Sequence, residues 1–478
     1  MNNKYERTKK IKIILIKCFI VIIYFAINFF VLGLDMALPT LLISIAFLIS
    51  LLIIYDTNLS PFSCQNLFYI FFLLSGCFFR YLWIGINGND FLKIAYIPLS
   101  NTPGYHTKTS VIILIVVISL AIGLKISKKF LKNNKKSYND MRSYPKFAYW
   151  VLILTYFILL IIIIGYKLSN LRLSTELSYG TFDNAITTLS YILKFVAYYN
   201  LVQYMKDRKP HELLFYLFYV IPIIIISLLS AWKGALIFEI IIICIIYGAI
   251  YKKIKIMHLA WITIAIIFIF PFISLRRINL TYNLNNKINF SSMFSYLKEN
   301  NIISYLSNRF SYYDELYYVL NVGESTINSF LDKVGGMTSR LIFAFIPRVL
   351  YPDKGIVNTG LQVTHYIYGY PTLIYNNLGI TYVGDMWVYY GVLGVIIGNI
   401  LVGIFIQKME NNNLNTSSNL AKYAVISIFL IGFCEGDLLS SLVQLFLILI
   451  VLFIFKKFFI FGSFDTSKKK LQKTRNHV

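Results

Sequence analysis

The sequence predicts an all-α integral membrane protein with about twelve transmembrane helices and one long, partly helical extracytoplasmic loop between spans nine and ten. Of its 478 residues, 58% are hydrophobic, whereas ordinary soluble domains are about 45–50% apolar. Many apolar runs approach the roughly 20 residues that a helix needs to cross a bilayer. Lysine and arginine cluster in some of the segments between those runs, as they do in cytoplasmic loops.

The apolar runs define the predicted spans in chain order. The sixth and eleventh spans are the weakest, because Lys194 and Lys422 interrupt them. The chain is predicted to comprise an N-terminal membrane bundle (1–275), the extracytoplasmic loop (276–377), the C-terminal spans (378–456) and a basic cytoplasmic tail (457–478). The predicted spans cover residues 11–33, 37–54, 67–86, 110–127, 147–166, 184–204, 212–230, 234–251, 257–275, 378–406, 419–436 and 438–456.

The positive charge orients these spans. The loops 125–146, 206–212 and 251–258 and the C-terminal tail are rich in lysine and arginine, whereas the loops 87–109 and 166–183 are less basic. Because basic loops tend to stay in the cytoplasm, both termini are predicted to be cytoplasmic and the long loop external. The net charge of +24 does not indicate nucleic-acid binding, since it is spread over these loops and no nucleic-acid-binding motif accompanies it.

Metal and nucleotide motifs are not found in the sequence. The five cysteines lack ligand spacing, the histidines form no HExxH-like pair, and neither a P-loop nor a Gly-rich nucleotide fingerprint occurs. The sequence therefore predicts no metal site and no cofactor, and it argues against ATP-driven transport.

The long loop carries helical periodicity. Apolar residues recur at three- and four-residue steps from Phe294 to Leu320, which predicts an amphipathic helix on the bilayer or across the mouth of the bundle. A break is predicted at Gly335-Gly336, and a second short helix should run from Thr338 to Phe345 and stop before Pro347.

A rigid segment follows that second helix. Pro347 fixes its own backbone and disfavours helix before it, and Pro352 suits the second position of a turn. The two prolines are expected to hold Arg348, Asp353 and Lys354 in a stiff frame. Composition alone favours an ordinary surface turn.

The segment Pro347-Arg348-x-x-Tyr351-Pro352-Asp353-Lys354, in a long external loop of a many-span chain, resembles the motif of Wzy-type polysaccharide polymerases. Three further stretches resemble that family: the Arg309 stretch upstream, the Gly384-Asp385 pair with Tyr390-Gly391, and the turn Ala231-Trp232-Lys233-Gly234. Two positions depart from the pattern, since the turn has lysine where arginine is more usual and the acid is aspartate where glutamate is common.

The resemblance implies an enzyme of the bacterial cytoplasmic membrane. Such a glycosyltransferase joins oligosaccharide repeat units carried on undecaprenyl diphosphate at the outer face, in O-antigen, capsule or exopolysaccharide synthesis. It implies contact with the lipid-linked oligosaccharide and membrane lipids, and it suggests a chain-length regulator and a flippase as partners. Neither a cofactor nor a nucleic acid is expected.

The resemblance also implies roles for cationic residues, because arginine donates bidentately to phosphate oxygens. Arg348 and Arg309 are the first candidates to bind the lipid diphosphate, with Lys354 and Lys233 in support. Arg80 is a further candidate, since it lies in the third predicted span near its outer end. The other arginines on the predicted outer side receive no role, namely Arg172, Arg276, Arg277 and Arg340.

A carboxylate is the candidate general base for the acceptor hydroxyl. Asp385 is preferred, because it lies near the predicted outer start of span ten, although a satisfied helix-end carboxylate explains it equally well. Asp353 is a second candidate that could instead pair with Arg348, and Glu239 is an intramembrane candidate that could pair with Lys194. The other external carboxylates are Asp314, Glu315 and Glu435.

Two other functions fit the same architecture. One is glycosyl transfer by an O-antigen ligase-like enzyme, which shares the polyprenyl donor and differs in its acceptor. The other is a lipid-linked oligosaccharide flippase or secondary transporter. Transporters often show internal repeats, and none is visible in this sequence.

Overall fold

A computed structural model describes residues 2–56, 62–87, 99, 102–130, 157–158, 161, 181–229, 233–251, 271–276, 279, 289–299, 312–344, 346, 359–371, 379–411, 414, 416–434 and 437–455. Every regular element within these ranges is helical, which confirms the predicted all-α class for this part of the chain. The third helix joins three continuous stretches, of which the middle one is a π-helix.

The helices are numbered here in chain order. They are α1 (Asn2–Leu32), α2 (Ala37–Asp56), α3 (Cys64–Phe68, Tyr69–Phe79 and Arg80–Asn87), α4 (Pro103–Phe130), α5 (Thr181–Asp207), α6 (Pro210–Leu229), α7 (Lys233–Tyr251), α8 (Phe290–Glu299), α9 (Tyr312–Asn321), α10 (Glu324–Val334), α11 (Met337–Ala344), α12 (Gly360–Gln362, continued by the π-turn Val363–Ile367), α13 (Thr381–Glu410), α14 (Ser417–Phe433) and α15 (Leu438–Phe455).

Five stretches of the described chain are long and apolar enough to cross a membrane, namely Ile14–Leu32, Leu34–Ile53, Cys64–Ile86, Pro103–Phe130 and Thr381–Glu410. They coincide with the first four predicted spans and the tenth. Shorter apolar helices stand at predicted spans seven, eight, eleven and twelve. Predicted spans five and nine lie largely outside the described residues. The chain is thus a helical protein with membrane-spanning character, and the total of about twelve spans stays a prediction.

Two compact units make up the chain. Unit 1 comprises Met1–Asn134, Asn300–Asn412 and Phe429–Val443, and unit 2 comprises Lys135–Glu299, Asn413–Ile428 and Gln444–Val478. Unit 1 therefore combines the first four helices with helices of the long loop and with α13. These discontinuous units cut across the contiguous segments that the sequence suggested.

Within unit 1, α4 and α13 pack closely because small residues line their contact. A Cβ atom on Gly123 would overlap the backbone carbonyl oxygen of Ile400, and one on Gly403 would lie 2.5 Å from the carbonyl oxygen of Leu120. Glycine and other small residues allow membrane helices to approach at backbone distance. This contact fixes the position of α13, which carries Asp385.

The helix α13 is not straight. Gly391 has φ 61° and ψ −152°, a backbone conformation that is essentially restricted to glycine. It divides α13 into a short arm (381–390) and a long arm (392–410). The long arm is roughly 28 Å long, close to the thickness of a bilayer core, and the short arm is roughly 15 Å long.

The short arm folds back against the long arm. The Tyr382 hydroxyl donates to Asn399 Oδ1 at 2.8 Å, and a Cβ atom on Gly398 would overlap the side chain of Met386. A straight helix would separate positions 386 and 398 by about 18 Å. The predicted span over 378–406 therefore contains a reversal at Gly391 that hydropathy does not reveal, and the long arm alone has about the length of a bilayer core.

The loop helix α9 lies inside unit 1. Eight of its ten residues are buried, and it packs against α3, α4 and α13. This burial is inconsistent with α9 lying exposed on the bilayer, and its placement across the mouth of the bundle stays a prediction. The stretch 300–311, which would join α8 to α9, lies outside the described residues.

The end of α10 agrees with the sequence. That helix stops at Gly335, whose φ of 77° suits a helix C-cap, and α11 follows at once. The predicted break is confirmed, and a short helix follows it at Met337–Ala344, starting one residue earlier than predicted. The predicted stop before Pro347 lies outside the described residues.

Candidate functional site

A buried polar cluster in unit 1 surrounds Asp385, and we call it the Asp385 cluster. It consists of Arg340 on α11, Thr359 before α12, Asp385 and Tyr389 on the short arm, and Asp437 before α15. These residues come from four separate segments of the chain, and the fold of unit 1 brings them together.

Asp385 faces the N-terminus of α15. Its Oδ2 atom accepts a hydrogen bond from the backbone N–H of Leu438 at 2.6 Å, and the residue is only 1% exposed. The positive end of a helix dipole favours a carboxylate at this place. No described residue donates a hydrogen bond to the other carboxylate oxygen, Oδ1. Because a buried acceptor without a donor is costly, Oδ1 is the atom where a bound hydroxyl would complete the site.

The short arm places Asp385 by local interactions. The Thr381 hydroxyl accepts a hydrogen bond from the backbone N–H of Gly384 at 3.1 Å, as an N-cap residue does. The short arm therefore begins one turn before Asp385, so that the aspartate lies within its first helical turns.

Asp437 is the N-cap of α15. Its Oδ1 atom accepts from the backbone N–H of Ser440 at 2.8 Å, the bond expected of a capping aspartate. Its Oδ2 atom accepts from both the backbone N–H, at 3.3 Å, and the hydroxyl of Thr359. A guanidinium nitrogen of Arg340 lies 3.7 Å from the same oxygen. The Asp437 carboxylate thus joins α15 to two segments of the long loop.

Arg340 links Asp437 to the short arm. Its Nη1 atom donates to the Tyr389 hydroxyl, and its Cζ atom lies 5.7 Å from the centroid of the Tyr389 ring. Tyr389 follows Asp385 by four residues, so the two side chains share one face of the short arm. The cluster therefore holds two carboxylates and one guanidinium beside a helix N-terminus, an arrangement that can accept a proton from a hydroxyl.

The four predicted site residues Arg309, Arg348, Asp353 and Lys354 lie outside the described residues. Lys233 is the first residue of α7, but its side chain is not among those described. Their predicted roles stay predictions.

Arg80 occupies a second buried cluster in unit 1. Its Nε and Nη2 atoms donate to the two carboxylate oxygens of Asp314 at 3.0 Å and 2.6 Å, and both side chains are nearly inaccessible. The positive charge of Arg80, which was predicted to bind a lipid diphosphate, is therefore compensated by the carboxylate of Asp314. The geometry favours a structural role for Arg80, in which it anchors α9 to α3.

Tyrosines of α9 extend this second cluster. The Tyr313 hydroxyl lies 2.8 Å from Nδ1 of His106, and burial raises the pKa of Tyr313 well above its ordinary value. Burial likewise raises the pKa of Tyr317 to about 12. Both hydroxyls are therefore protonated at neutral pH and serve as hydrogen-bonding groups in the packing of α9.

Glu239 lies in unit 2, on α7. It accepts a hydrogen bond from the Tyr198 hydroxyl at 2.9 Å. Lys194, one turn before Tyr198 on α5, has its ammonium group 4.9 Å from the centroid of the Tyr191 ring and interacts electrostatically with Glu239. The predicted pairing of Lys194 with Glu239 stays a prediction.

Within the described ranges, no group of three or more His, Cys, Asp or Glu side chains is arranged to hold a metal ion. The Asp385 cluster itself contains two carboxylates, a guanidinium and the hydroxyl groups of Thr359 and Tyr389.

The sequence analysis missed most of this cluster. It selected Asp385 but assigned nothing to Arg340, Tyr389 or Asp437. One signal could have identified Asp437, since an aspartate directly before the apolar run of α15 is a typical N-cap. The partnership of Arg340 with Asp437 joins positions far apart in sequence, and no local pattern encodes it.

Comparisons of the chain with protein-family models, with curated proteins and with solved structures find no match. The family resemblance therefore rests on the sequence motifs alone.

Proposed function

We propose that the chain is an integral membrane polysaccharide polymerase of about twelve spans. It would join undecaprenyl-diphosphate-linked oligosaccharide repeats at the outer face of a bacterial cytoplasmic membrane, for O-antigen, capsule or exopolysaccharide synthesis. Both termini lie in the cytoplasm in this proposal, and a chain-length regulator and a flippase act beside it.

One observation carries the proposal beyond the motif resemblance. The acidic residue of the Gly384-Asp385 pair is buried, is held by a helix N-terminus through Oδ2, and has no described donor at Oδ1. A carboxylate with one oxygen fixed by a hydrogen bond and the other without a described donor suits a general base that receives a hydroxyl proton.

The proposed reaction assigns a role to each candidate. The acceptor hydroxyl oxygen attacks the anomeric carbon of the growing chain, and its proton passes to the Asp385 carboxylate. The bond between that carbon and the diphosphate oxygen breaks, and the undecaprenyl diphosphate leaves with the electron pair. Arg348 and Arg309 stabilise the departing charge, with Lys354 and Lys233 in support, because cationic groups stabilise a leaving phosphate.

The predicted topology supports the location of this chemistry. Arg340 and Thr359 belong to the predicted external loop, Asp385 follows that loop, and Asp437 lies between predicted spans eleven and twelve. All four positions fall on the predicted outer side, and their side chains meet in one cluster.

The test is the size profile of the surface glycan in a strain that lacks this chain. The strain is complemented at matched membrane levels with wild type, Arg348→Ala, Asp385→Asn, Asp385→Glu or, as a control, Asp332→Asn, whose side chain is exposed on α10. Wild type and the control should restore a ladder of repeats. Asp385→Asn should reduce polymerisation by about 10²-fold or more, whereas Asp385→Glu keeps a carboxylate and should retain part of the activity.

Other outcomes would indicate a different function. Accumulation of complete repeats on lipid at the cytoplasmic face would indicate a flippase. A normal polymer on lipid that fails to reach its final acceptor would indicate a ligase. An unchanged ladder in the deletion strain would refute polymerisation of that glycan.

A further inference from the structure

We propose that Asp437 is a positioning residue for the polymerisation reaction, and that together with Arg340 it holds the Asp385 carboxylate in its working orientation. This inference rests on the proposed function and adds to it a residue pair that the sequence motifs do not contain.

Asp385 is oriented by a hydrogen bond from the start of α15. The donor to Asp385 Oδ2 is the backbone N–H of Leu438, the residue that directly follows Asp437. The direction of that N–H depends on how α15 begins, and Asp437 fixes this start through its cap bond to Ser440. The position of the proposed base therefore depends on the capping residue.

Asp437 carries a charge that helix capping alone does not require. A cap bond requires only a side-chain oxygen, and serine, threonine or asparagine supplies one as well. Asp437 does more than cap, because its second oxygen accepts from Thr359 and lies 3.7 Å from Arg340. An ionised carboxylate is the group that compensates a buried guanidinium.

Arg340 is connected to the proposed base, Asp385, through the short arm of α13. Arg340 donates to Tyr389, one turn along the short arm from Asp385, and thereby fixes that arm relative to Asp437. Arg340 also interacts electrostatically with Asp385, so a guanidinium that has lost Asp437 would be attracted toward the proposed base. The Arg340–Asp437 pair thus keeps the guanidinium from pairing with the proposed base.

The experiment uses the purified full chain in lipid nanodiscs, with lipid-linked repeat units extracted from the deletion strain as both donor and acceptor. Initial rates give kcat and KM for wild type, Asp437→Asn, the double variant Arg340→Gln/Asp437→Asn and the control Asp332→Asn. Thermal unfolding of each protein is measured in parallel. Asparagine keeps the cap in both Asp437 variants, and the double variant also removes the guanidinium that would have lost the Asp437 carboxylate.

We expect kcat to fall by roughly 10–100-fold in both Asp437 variants, because a small displacement of a reacting group has an effect of this size. KM should stay within about threefold of wild type, since substrate binding is assigned to other residues. The double variant should unfold at the wild-type temperature and remain slow. A purely structural role predicts instead that turnover returns together with stability.

Two results would overturn the inference. If the double variant unfolds like wild type and has the control's kcat, Asp437 is only a structural residue, and the proposed function stands. If wild type itself does not lengthen the glycan, the proposed function fails and this role fails with it. The wild-type reaction therefore distinguishes the two failures.

Discussion

The ion pair between Arg80 and Asp314 should be one of the strongest single supports of unit 1. The change to make is Asp314→Asn, which keeps the size of the side chain and removes its charge. Asp314→Asn leaves the buried Arg80 guanidinium without its bidentate carboxylate. Arg80→Met creates the opposite defect, a buried carboxylate that has lost its bidentate guanidinium.

The expected magnitude follows from the geometry. The two donor–acceptor distances of 2.6 Å and 3.0 Å place the charge centres about 4 Å apart, where two unit charges attract by roughly 4 kcal/mol at an effective dielectric constant of about 20. Removing one partner of a buried pair typically costs about 3–5 kcal/mol. Both estimates correspond to a roughly thousandfold fall in the ratio of folded to unfolded protein.

The assay is denaturant unfolding of the purified protein in detergent, followed by circular dichroism. It compares wild type, both single variants, the double variant Arg80→Met/Asp314→Asn, and Lys333→Met as an exposed control. The control should change the free energy of unfolding by less than about 0.5 kcal/mol. The double variant should be more stable than the sum of the two single changes predicts, because it leaves no unpaired charge. Single losses below about 1 kcal/mol, or strictly additive losses, would refute the reasoning.

Substitutions at two glycines should destabilise the protein for different reasons, steric overlap at Gly123 and backbone strain at Gly391. Gly123→Ala adds a Cβ atom that overlaps a backbone carbonyl of α13, so it should lower the thermal unfolding midpoint. The control Gly104→Ala, at a position with no atom within 4 Å, should leave the midpoint unchanged. Equal midpoints for the two variants would contradict the close packing of α4 on α13. In Gly391→Ala the new Cβ atom has no neighbour within 4 Å, but alanine is forced to φ 61°, which costs about 1–3 kcal/mol. The variant should have a lower unfolding midpoint and reduced polymerisation, because the short arm is displaced. Wild-type values for both measurements would contradict the observed reversal.

The sequence predicted those elements that local patterns encode. Hydropathy located the apolar helices, and Gly335 located the end of α10, because a glycine with positive φ is a common helix stop. Hydropathy did not separate the two arms of α13, since both arms are apolar and only one residue between them has an unusual backbone conformation. Apolar spacing did not reveal the burial of α9 for a related reason: its polar residue Asp314 is buried with Arg80 of another helix as its partner, and spacing contains no information about such a partner.

Some residues of the candidate site could likewise be predicted from local sequence patterns, and others could not. Asp385 could be selected because it belongs to a short motif, and Arg80 because a charge inside an apolar run is conspicuous. The contacts of Arg340 and Asp437 depend on how α11, the short arm and α15 pack, and that packing is set by interactions across the whole of unit 1. Long-range pairs of this kind leave no spacing that a single sequence can reveal.

The fold of the Asp385 cluster has a consequence for the smallest chain that could work. A protein shortened after Glu410 would keep every motif that the sequence singles out, including the proline-framed segment and Gly384-Asp385. It would lose the N–H group that holds Asp385 and the carboxylate that compensates Arg340. The segment from Asp437 to the start of α15 is therefore part of the candidate site, and a truncation guided by motifs alone would remove both of these contacts.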